Sequence, residues 1–171
     1  MASPIKSTGI PIIDADHNRL LQILQQLIGQ EPTVEFLLAM VDELGQYAAQ
    51  HFDHEYQLMV ACDYPPEALQ RHLREHAGFG DRMARFAVLV REGGTRAQSA
   101  LDRLLNEARN EIRGGATAPP PLATPAMQMA SYLTQWLLTH TNGMDQEIVA
   151  FLKSRRIDPA SIVLSSPSDP P

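Results

Sequence analysis

Residues 34–62 read VEFLLAMVDELGQYAAQHFDHEYQLMVAC, and a stripe of their side chains recurs at alternating steps of three and four. Such steps place side chains on one face of an α-helix, and the regular alternation is typical of helices that pack at a shallow angle. The stripe also contains His51 and Glu55, at positions that the repeat assigns to the protein interior. The stretch therefore predicts a long bundle helix with polar groups in its buried seam.

Three other segments repeat the alternation. They run from Ile13 to Leu27, from Leu69 to Val90 and from Leu133 to Leu152, and glycine and proline residues separate them. Nothing in the chain alternates convincingly with the period of two that marks a strand. The sequence thus predicts an all-α protein, an antiparallel four-helix bundle with up-down-up-down topology.

An insertion precedes the last of these helices. A fifth, shorter helix is predicted between Thr95 and Arg113, and a proline-rich loop follows it up to residue 124. Together they form an insertion at about residues 93–124, within a bundle domain predicted to span residues 1–157. Residues 158–171 are rich in serine and proline and are predicted to form a flexible tail.

The composition excludes several classes of protein. The chain has 171 residues, 44% of them hydrophobic, which suits one domain with a sizeable core. Its formal net charge of -6 argues against binding to nucleic acid or to an anionic membrane surface. No apolar run is long enough to span a membrane and no secretory signal is visible, so we expect a soluble cytoplasmic protein. The single cysteine, Cys62, excludes an internal disulfide and a cysteine-rich metal site.

Polar residues interrupt the predicted core on all four helices. One buried histidine is usually satisfied by a structural hydrogen bond, but six polar side chains in one core would need many mutual bonds to be tolerated. A metal centre would satisfy all of them together. The residues at these seam positions are His17, His51, Glu55, His72, His76 and His140.

Spacing identifies ligand pairs. His51 and Glu55 are four residues apart, as are His72 and His76, so each pair projects from one helical face. Asp145 lies five residues after the histidine of the last helix, a spacing that leaves open whether it reaches the same centre.

The remaining polar residues of these motifs have simpler interpretations. His54, the sixth histidine, falls off the seam of its helix and is predicted to lie at the surface. The acidic residues interpreted as helix caps or solvated positions are Asp14, Asp16, Asp42, Asp53 and Asp63.

The ligand types narrow the choice of metal. Imidazole favours Zn, Cu, Fe or Ni, whereas Mg, Ca and Mn favour oxygen-rich sites. With Asp145 the set numbers seven residues, too many for one ion and more than the four of a structural zinc. Two octahedral ions bridged by Glu55, Asp145 and a solvent-derived oxygen fit this count. Three histidines then complete the six coordination positions of one ion. The other ion has two histidines and keeps one open position for a small ligand.

The combined motifs resemble the bacterial hemerythrin family, the bacteriohemerythrins, which bind O2 at a non-haem di-iron centre. The order and spacing of the motifs agree with the family from residue 9 to residue 153, apart from the insertion, which makes the gap between His76 and His140 longer than expected. Tyr56 stands where the family has a second acidic residue. The matching stretches are IDADH at 13–17, HFDHEYQLM at 51–59, HLREH at 72–76 and WLLTHTNGMD at 136–145.

The resemblance implies two iron ions that change between Fe2+ and Fe3+ and share an oxo or hydroxo bridge. Trp136, one turn before His140, is a candidate wall of the O2 pocket, with ordinary core packing as the alternative. The implied ligands are His72, His76 and His140 on the filled iron, His17 and His51 on the open iron that takes O2, and Glu55 and Asp145 as bridges.

The predicted function is reversible O2 binding, for carriage, storage or sensing, by a protein that is not an enzyme. Neutral imidazoles dominate the ligand set, whereas di-iron oxidases in similar bundles use Glu-x-x-His motifs, which do not occur near these ligands. Two alternatives stay open. One is a di-iron enzyme that reduces peroxide or nitric oxide, and the other is a regulatory input module that contacts a signalling partner through the insertion or the C-terminal tail.

Overall fold

The predicted bundle helices are present in a computed structural model, which describes residues 5–27, 33–93, 103, 125–162 and 164. The described residues are helical with short connections and contain no β-strand. The bundle elements are α1 (Pro11–Leu27), α2 (Val34–Ala61), α3 (Pro66–Glu92), α4 (Pro125–Thr139), a π-helical turn (His140–Met144) and α5 (Asp145–Ser154). Helix α4, the π-helical turn and α5 follow one another without a break and form the fourth rod of the bundle.

Local chemistry sets the ends of the helices. The Thr33 hydroxyl caps α2 by accepting a hydrogen bond from the Phe36 N–H at 3.2 Å. Three helices begin with proline, whose fixed φ suits the first helical position. Helix α3 ends at Glu92, and Gly93, which follows it, has a φ of 62° in the left-handed region that favours glycine.

The helices pack in antiparallel order. Between α1 and α2, Asp16 contacts His54, while Arg19 donates a hydrogen bond to Gln50, so residue numbers rise on one helix as they fall on the other. Contacts between α2 and α3, and between α3 and α4, likewise join rising residue numbers on one helix to falling numbers on the next. Helix α4 packs back against α1 and completes the predicted bundle.

Two apolar clusters fill the bundle, and a polar layer separates them. The larger cluster contains Leu20, Leu44, Phe79, Phe86 and Trp136 among its buried members. The smaller cluster, at the opposite end of the bundle, consists of Ile10, Ile13, Leu58, Met59, Cys62, Tyr64, Ile148 and Leu152. The predicted metal ligands lie along each helix between residues that belong to or pack against the two clusters, with Leu69 on α3 packing against the smaller one, so apolar side chains enclose the polar layer from both ends.

The predicted insertion helix and proline-rich loop lie outside the described residues. Of the predicted tail, Pro159–Ser161 form a 3-10 helix, and Ile162 and Leu164 pack against the smaller cluster. None of the helices within the described ranges is long and apolar enough to cross a membrane.

Asp14 holds the chain that precedes α1 against the first turn of that helix. Its carboxylate accepts hydrogen bonds from the Thr8 N–H at 2.7 Å, the Thr8 hydroxyl at 2.8 Å and the Gly9 N–H at 3.2 Å. Gly9 has a φ of 75°, which a residue with a Cβ rarely adopts. Burial raises the pKa of Asp14, but the hydrogen bonds outweigh it and hold the pKa below its ordinary value of 3.8.

Asp14→Ala is expected to lower the free energy of unfolding at pH 7 by about 1 kcal/mol, because a partly exposed carboxylate loses its hydrogen bonds. A carboxyl group with a lowered pKa stabilises the fold above its unfolded-state pKa, and this contribution is lost as pH falls through the folded-state pKa. Urea unfolding at pH 7 and at about pH 2 measures whether the stabilisation by Asp14 is lost in acid. The variant and the parent should differ at pH 7 and converge in acid, and an equal difference at both pH values would contradict the prediction.

Candidate metal centre

The seven predicted ligand residues meet in the polar layer between the two apolar clusters. Each of these polar residues is at most 6% exposed. Four of them form two pairs, each pair on a single helix. The seven residues form two groups, and within each group the candidate ligand atoms lie within 4.8 Å of one another. Glu55 belongs to both groups. The first group is Glu55, His72, His76 and His140, and the second is His17, His51, Glu55 and Asp145.

The distances inside the first group match those between neighbours on one metal ion. Glu55 Oε2 lies 3.1 Å from His72 Nε2 and 3.0 Å from His76 Nε2. His76 Nε2 lies 3.1 Å from His140 Nε2. Adjacent ligands bound about 2.1 Å from an octahedral ion stand about 3 Å apart. The side chains therefore converge on a common point, as ligands of one ion do.

The second group contains buried polar atoms that have no hydrogen-bond partner among the described residues. His17 Nε2 lies 3.0 Å from Asp145 Oδ2, yet neither atom has a hydrogen-bond partner. His51 Nε2 and Glu55 Oε1, 3.6 Å apart, are also buried without partners. Buried polar atoms without partners cost free energy. A cation among them would satisfy these lone pairs together, so the residues present fit a metal ion.

The π-helical turn brings Asp145 into the centre. The Asp145 N–H donates to the carbonyl oxygen of His140, five residues earlier, so the turn holds one residue more than an α-helical turn. This wider turn brings Asp145 Oδ1 to 3.2 Å from His140 Nε2 and leaves Asp145 only 2% exposed. A five-residue spacing, unfavourable on a regular α-helix, thus places both side chains in one site.

The prediction that His54 lies at the surface is wrong, as is the interpretation of Asp16 as a cap or solvated residue. His54 is 1% exposed and Asp16 is 8% exposed. Asp16 Oδ2 lies 2.8 Å from His54 Nδ1 and 3.4 Å from His51 Nδ1. The carboxylate of α1 thus lies behind two histidines of α2 and leaves His51 Nε2 to face the centre. A carboxylate in this position fixes the ring orientation and the tautomer of a metal-binding histidine.

Aromatic rings stack on three of the histidines. Trp136, the predicted pocket wall, is 2% exposed and stacks on His140 with centroids 4.5 Å apart and an interplanar angle of 13°. Phe52 stacks on His76 at 3.6 Å. Tyr47, which the sequence did not single out, stacks on His51 at 5.2 Å and 16°. These rings restrict the imidazoles and exclude water from their faces.

The acid–base properties of the centre suit metal ligands. Burial lowers the pKa of His76 to about 4, so its imidazole is neutral near pH 7, the form that binds metals. Burial lowers the pKa of His51 and His140, but nearby carboxylates outweigh it and raise both. The pKa of Glu55 lies well below its ordinary value despite burial, because histidines surround it, whereas burial and the charge of Glu55 raise the pKa of Asp145. A bound cation would displace the histidine protons and compensate both carboxylates.

Three small surface clefts reach the edges of this centre. A cleft of about 240 Å³ between the N-terminal residues and α1 is lined by His17. Clefts of about 480 Å³ and about 330 Å³ are lined by His76 and His140, respectively. Each cleft is therefore lined by one candidate ligand residue, and both groups contribute at least one.

Comparisons with known proteins agree with this geometry. The family described as the hemerythrin HHE cation binding domain matches residues 8–152. The chain is 28% identical over 137 residues to a protein named bacteriohemerythrin from Stenotrophomonas maltophilia, covering 79% of this chain and 84% of that protein. It is also 28% identical over 114 residues to a bacteriohemerythrin from Pseudomonas aeruginosa, covering 63% of this chain and 73% of that protein. No solved structure matches the chain significantly.

Proposed function

Because the chain belongs to the hemerythrin HHE cation-binding family, we propose that it holds two iron ions and binds O2 reversibly at one of them. The proposed ligands of one iron are His72, His76 and His140, and those of the other are His17 and His51. Glu55 and Asp145 bridge the two ions in this proposal.

The unequal number of histidines in the two groups is the observation that best supports O2 binding. The first group offers three imidazoles and the second offers two, while Glu55 lies between them. If the two ions shared the same bridges, the ion in the second group would have one protein ligand fewer, which would leave an octahedral ion one position for a small molecule. When bound, ferrous iron supplies the O2-binding position and the electrons that O2 binding requires.

The protein contributes a dry, preorganised site. Every ligand is buried, and apolar clusters close both ends of the layer. A hydrophobic shell limits the access of solvent and protons, which favours release of an intact ligand over its reduction. The two carboxylates among seven ligand residues also place less negative charge on the metals than the four glutamates of di-iron oxidases do. These features support binding of O2 more than its chemical use.

Optical cycling tests the proposal. The ferrous protein should be nearly colourless without oxygen, gain a visible charge-transfer band in air and lose that band when O2 is removed, over repeated cycles. Absence of the band would contradict O2 binding at such a centre. Steady consumption of O2 or peroxide with a reductant, much faster than autoxidation, would favour the enzymatic alternative.

Asp16→Ala is expected to weaken iron binding roughly 10- to 100-fold, mainly at the ion held by His17 and His51. The carboxylate orients His51 through its Nδ1 atom, which lies 3.4 Å from Asp16 Oδ2. Competition with a chelator, followed by iron analysis, should show one ion leaving the variant at a chelator concentration that leaves the parent loaded.

Asp53→Ala serves as the matched control for this substitution. Asp53 lies two residues after His51 on α2, but its carboxylate accepts a hydrogen bond from Gln57 at 2.7 Å and is not part of either ligand group. The two variants should therefore differ clearly in iron retention. Equal retention would show that Asp16 does not position His51.

A further inference from the structure

The hydroxyl of Tyr47 is a buried donor for which the described part of the chain provides no acceptor. Tyr47 lies one turn before His51 on α2, is 1% exposed, and its Oη has no hydrogen-bond partner among the described residues. Burying a hydroxyl without a partner costs free energy, whereas phenylalanine would fill the same space without that cost. This arrangement points to a partner that enters the protein from outside.

The ring of Tyr47 lies on the side of the centre where the open position is expected. It stacks on His51, which belongs with His17 to the group with two histidines. The Trp136 indole N–H is also buried without a partner in the described part of the chain, but its ring stacks on His140 in the group with three histidines. Of these two donors, Tyr47 is therefore the one beside the group with two histidines, where the open position is expected.

The chemistry of the hydroxyl suits donation. Burial, followed by the negative charges of Glu55 and Asp145, raises the pKa of Tyr47 well above its ordinary value of 10. A tyrosine hydroxyl carries one O–H that can donate a hydrogen bond to a bound molecule.

We propose that the Tyr47 hydroxyl donates a hydrogen bond to the small molecule bound at the open position beside His17 and His51. The inference rests on the proposed di-iron function and specifies which ligands that site prefers. It favours dioxygen and small anions such as azide, which carry negative charge away from the metal when bound. Ligands without such charge, such as carbon monoxide, gain little from this donor.

Azide titration of the iron-loaded, oxidised protein tests the inference. Binding is followed by the visible band that azide produces on ferric iron, and the midpoint does not depend on the fraction of chains loaded. Tyr47→Phe should raise the azide dissociation constant about tenfold, the usual effect of losing a hydrogen bond to a charged group. Without azide, the same iron-loaded variant should unfold at a temperature equal to or above that of the parent, because an unpartnered hydroxyl has been removed.

Tyr132→Phe provides the matched control. Tyr132 is also fully buried in the larger apolar cluster, but its hydroxyl accepts a hydrogen bond from the Arg82 guanidinium at 3.5 Å. Its substitution should change azide affinity less than about twofold. Unchanged affinity in Tyr47→Phe, or the same loss in Tyr132→Phe, would overturn the inference. Failure of the parent protein to give any azide-dependent band would instead contradict the proposed function.

A second substitution keeps the shape of the side chain. Replacing Tyr47 with 3-fluorotyrosine makes the hydroxyl more acidic and a stronger donor while leaving the ring in place. Azide should then bind more tightly than to the parent protein. Weaker or unchanged binding would overturn the inference even if the phenylalanine variant proved unstable.

Discussion

Glu55→Gln should empty both metal positions, so that iron analysis falls from two ions per chain to near zero while the helical circular dichroism is kept. Glu55 is the residue shared by both ligand groups. Its Oε2 lies within 3.6 Å of Nε2 of His72, His76 and His140, and its Oε1 lies 3.6 Å from His51 Nε2. The amide of glutamine has nearly the same shape but only one oxygen and no charge, so it cannot bridge two cations. The apolar clusters on either side do not change, and the bundle should still form.

Glu43→Gln makes the same chemical change on the same helix. Glu43 lies three turns before Glu55 and belongs to neither ligand group. This control should retain both ions, which separates the loss of a ligand from any general effect of removing a carboxylate. If Glu55→Gln keeps two ions per chain, Glu55 is not the bridge and the proposed ligand arrangement is wrong.

Removal of iron is expected to lower the thermal midpoint of unfolding by about 8–16 °C. A bound cation stabilises the fold by about 4 kcal/mol when its free concentration is about a thousandfold above its dissociation constant. For a chain of this size each kcal/mol corresponds to about 2–4 °C. The structural reason is that His17, His51, Glu55 and Asp145 keep buried lone pairs that a cation satisfies. Calorimetry before and after treatment with a reductant and a chelator measures the difference.

The Glu55→Gln variant is the control for the chelator itself. Because it should hold no iron, the same treatment should leave its midpoint unchanged. An equal decrease in both proteins would attribute the effect to the chelator, and no decrease in the parent would show that metal binding does not stabilise the fold.

The bundle was predictable because its determinants are local and periodic. Alternating steps of three and four define each seam, and glycine and proline separate the segments. The interior histidines and Glu55 were found for the same reason, since they occupy seam positions where apolar residues belong. The repeat within one helix does not show which side chains of the other helices these residues contact.

Asp145, Asp16 and His54 show where the periodic interpretation fails. Asp145 needed the resemblance to a known family, because a π turn changes the residues per turn and the repeat assumes a regular α-helix. Asp16 and His54 each lie off a seam, and they are buried because each satisfies the other across the α1–α2 interface. Two polar residues that pair in tertiary structure look like two surface residues in the sequence. Tyr47 was missed because a tyrosine beside a seam looks like ordinary core packing.

We propose that the two-histidine and three-histidine groups hold two irons and that one O2 binds at the open position of the two-histidine iron. Anaerobic ferrous protein, loaded with iron and mixed with measured amounts of O2, tests this claim most directly by gas uptake. We predict uptake of one O2 for every two irons, with the same amount returned when the oxygen pressure is lowered. Uptake of no O2 by fully loaded protein, or irreversible consumption beyond that ratio, would contradict it.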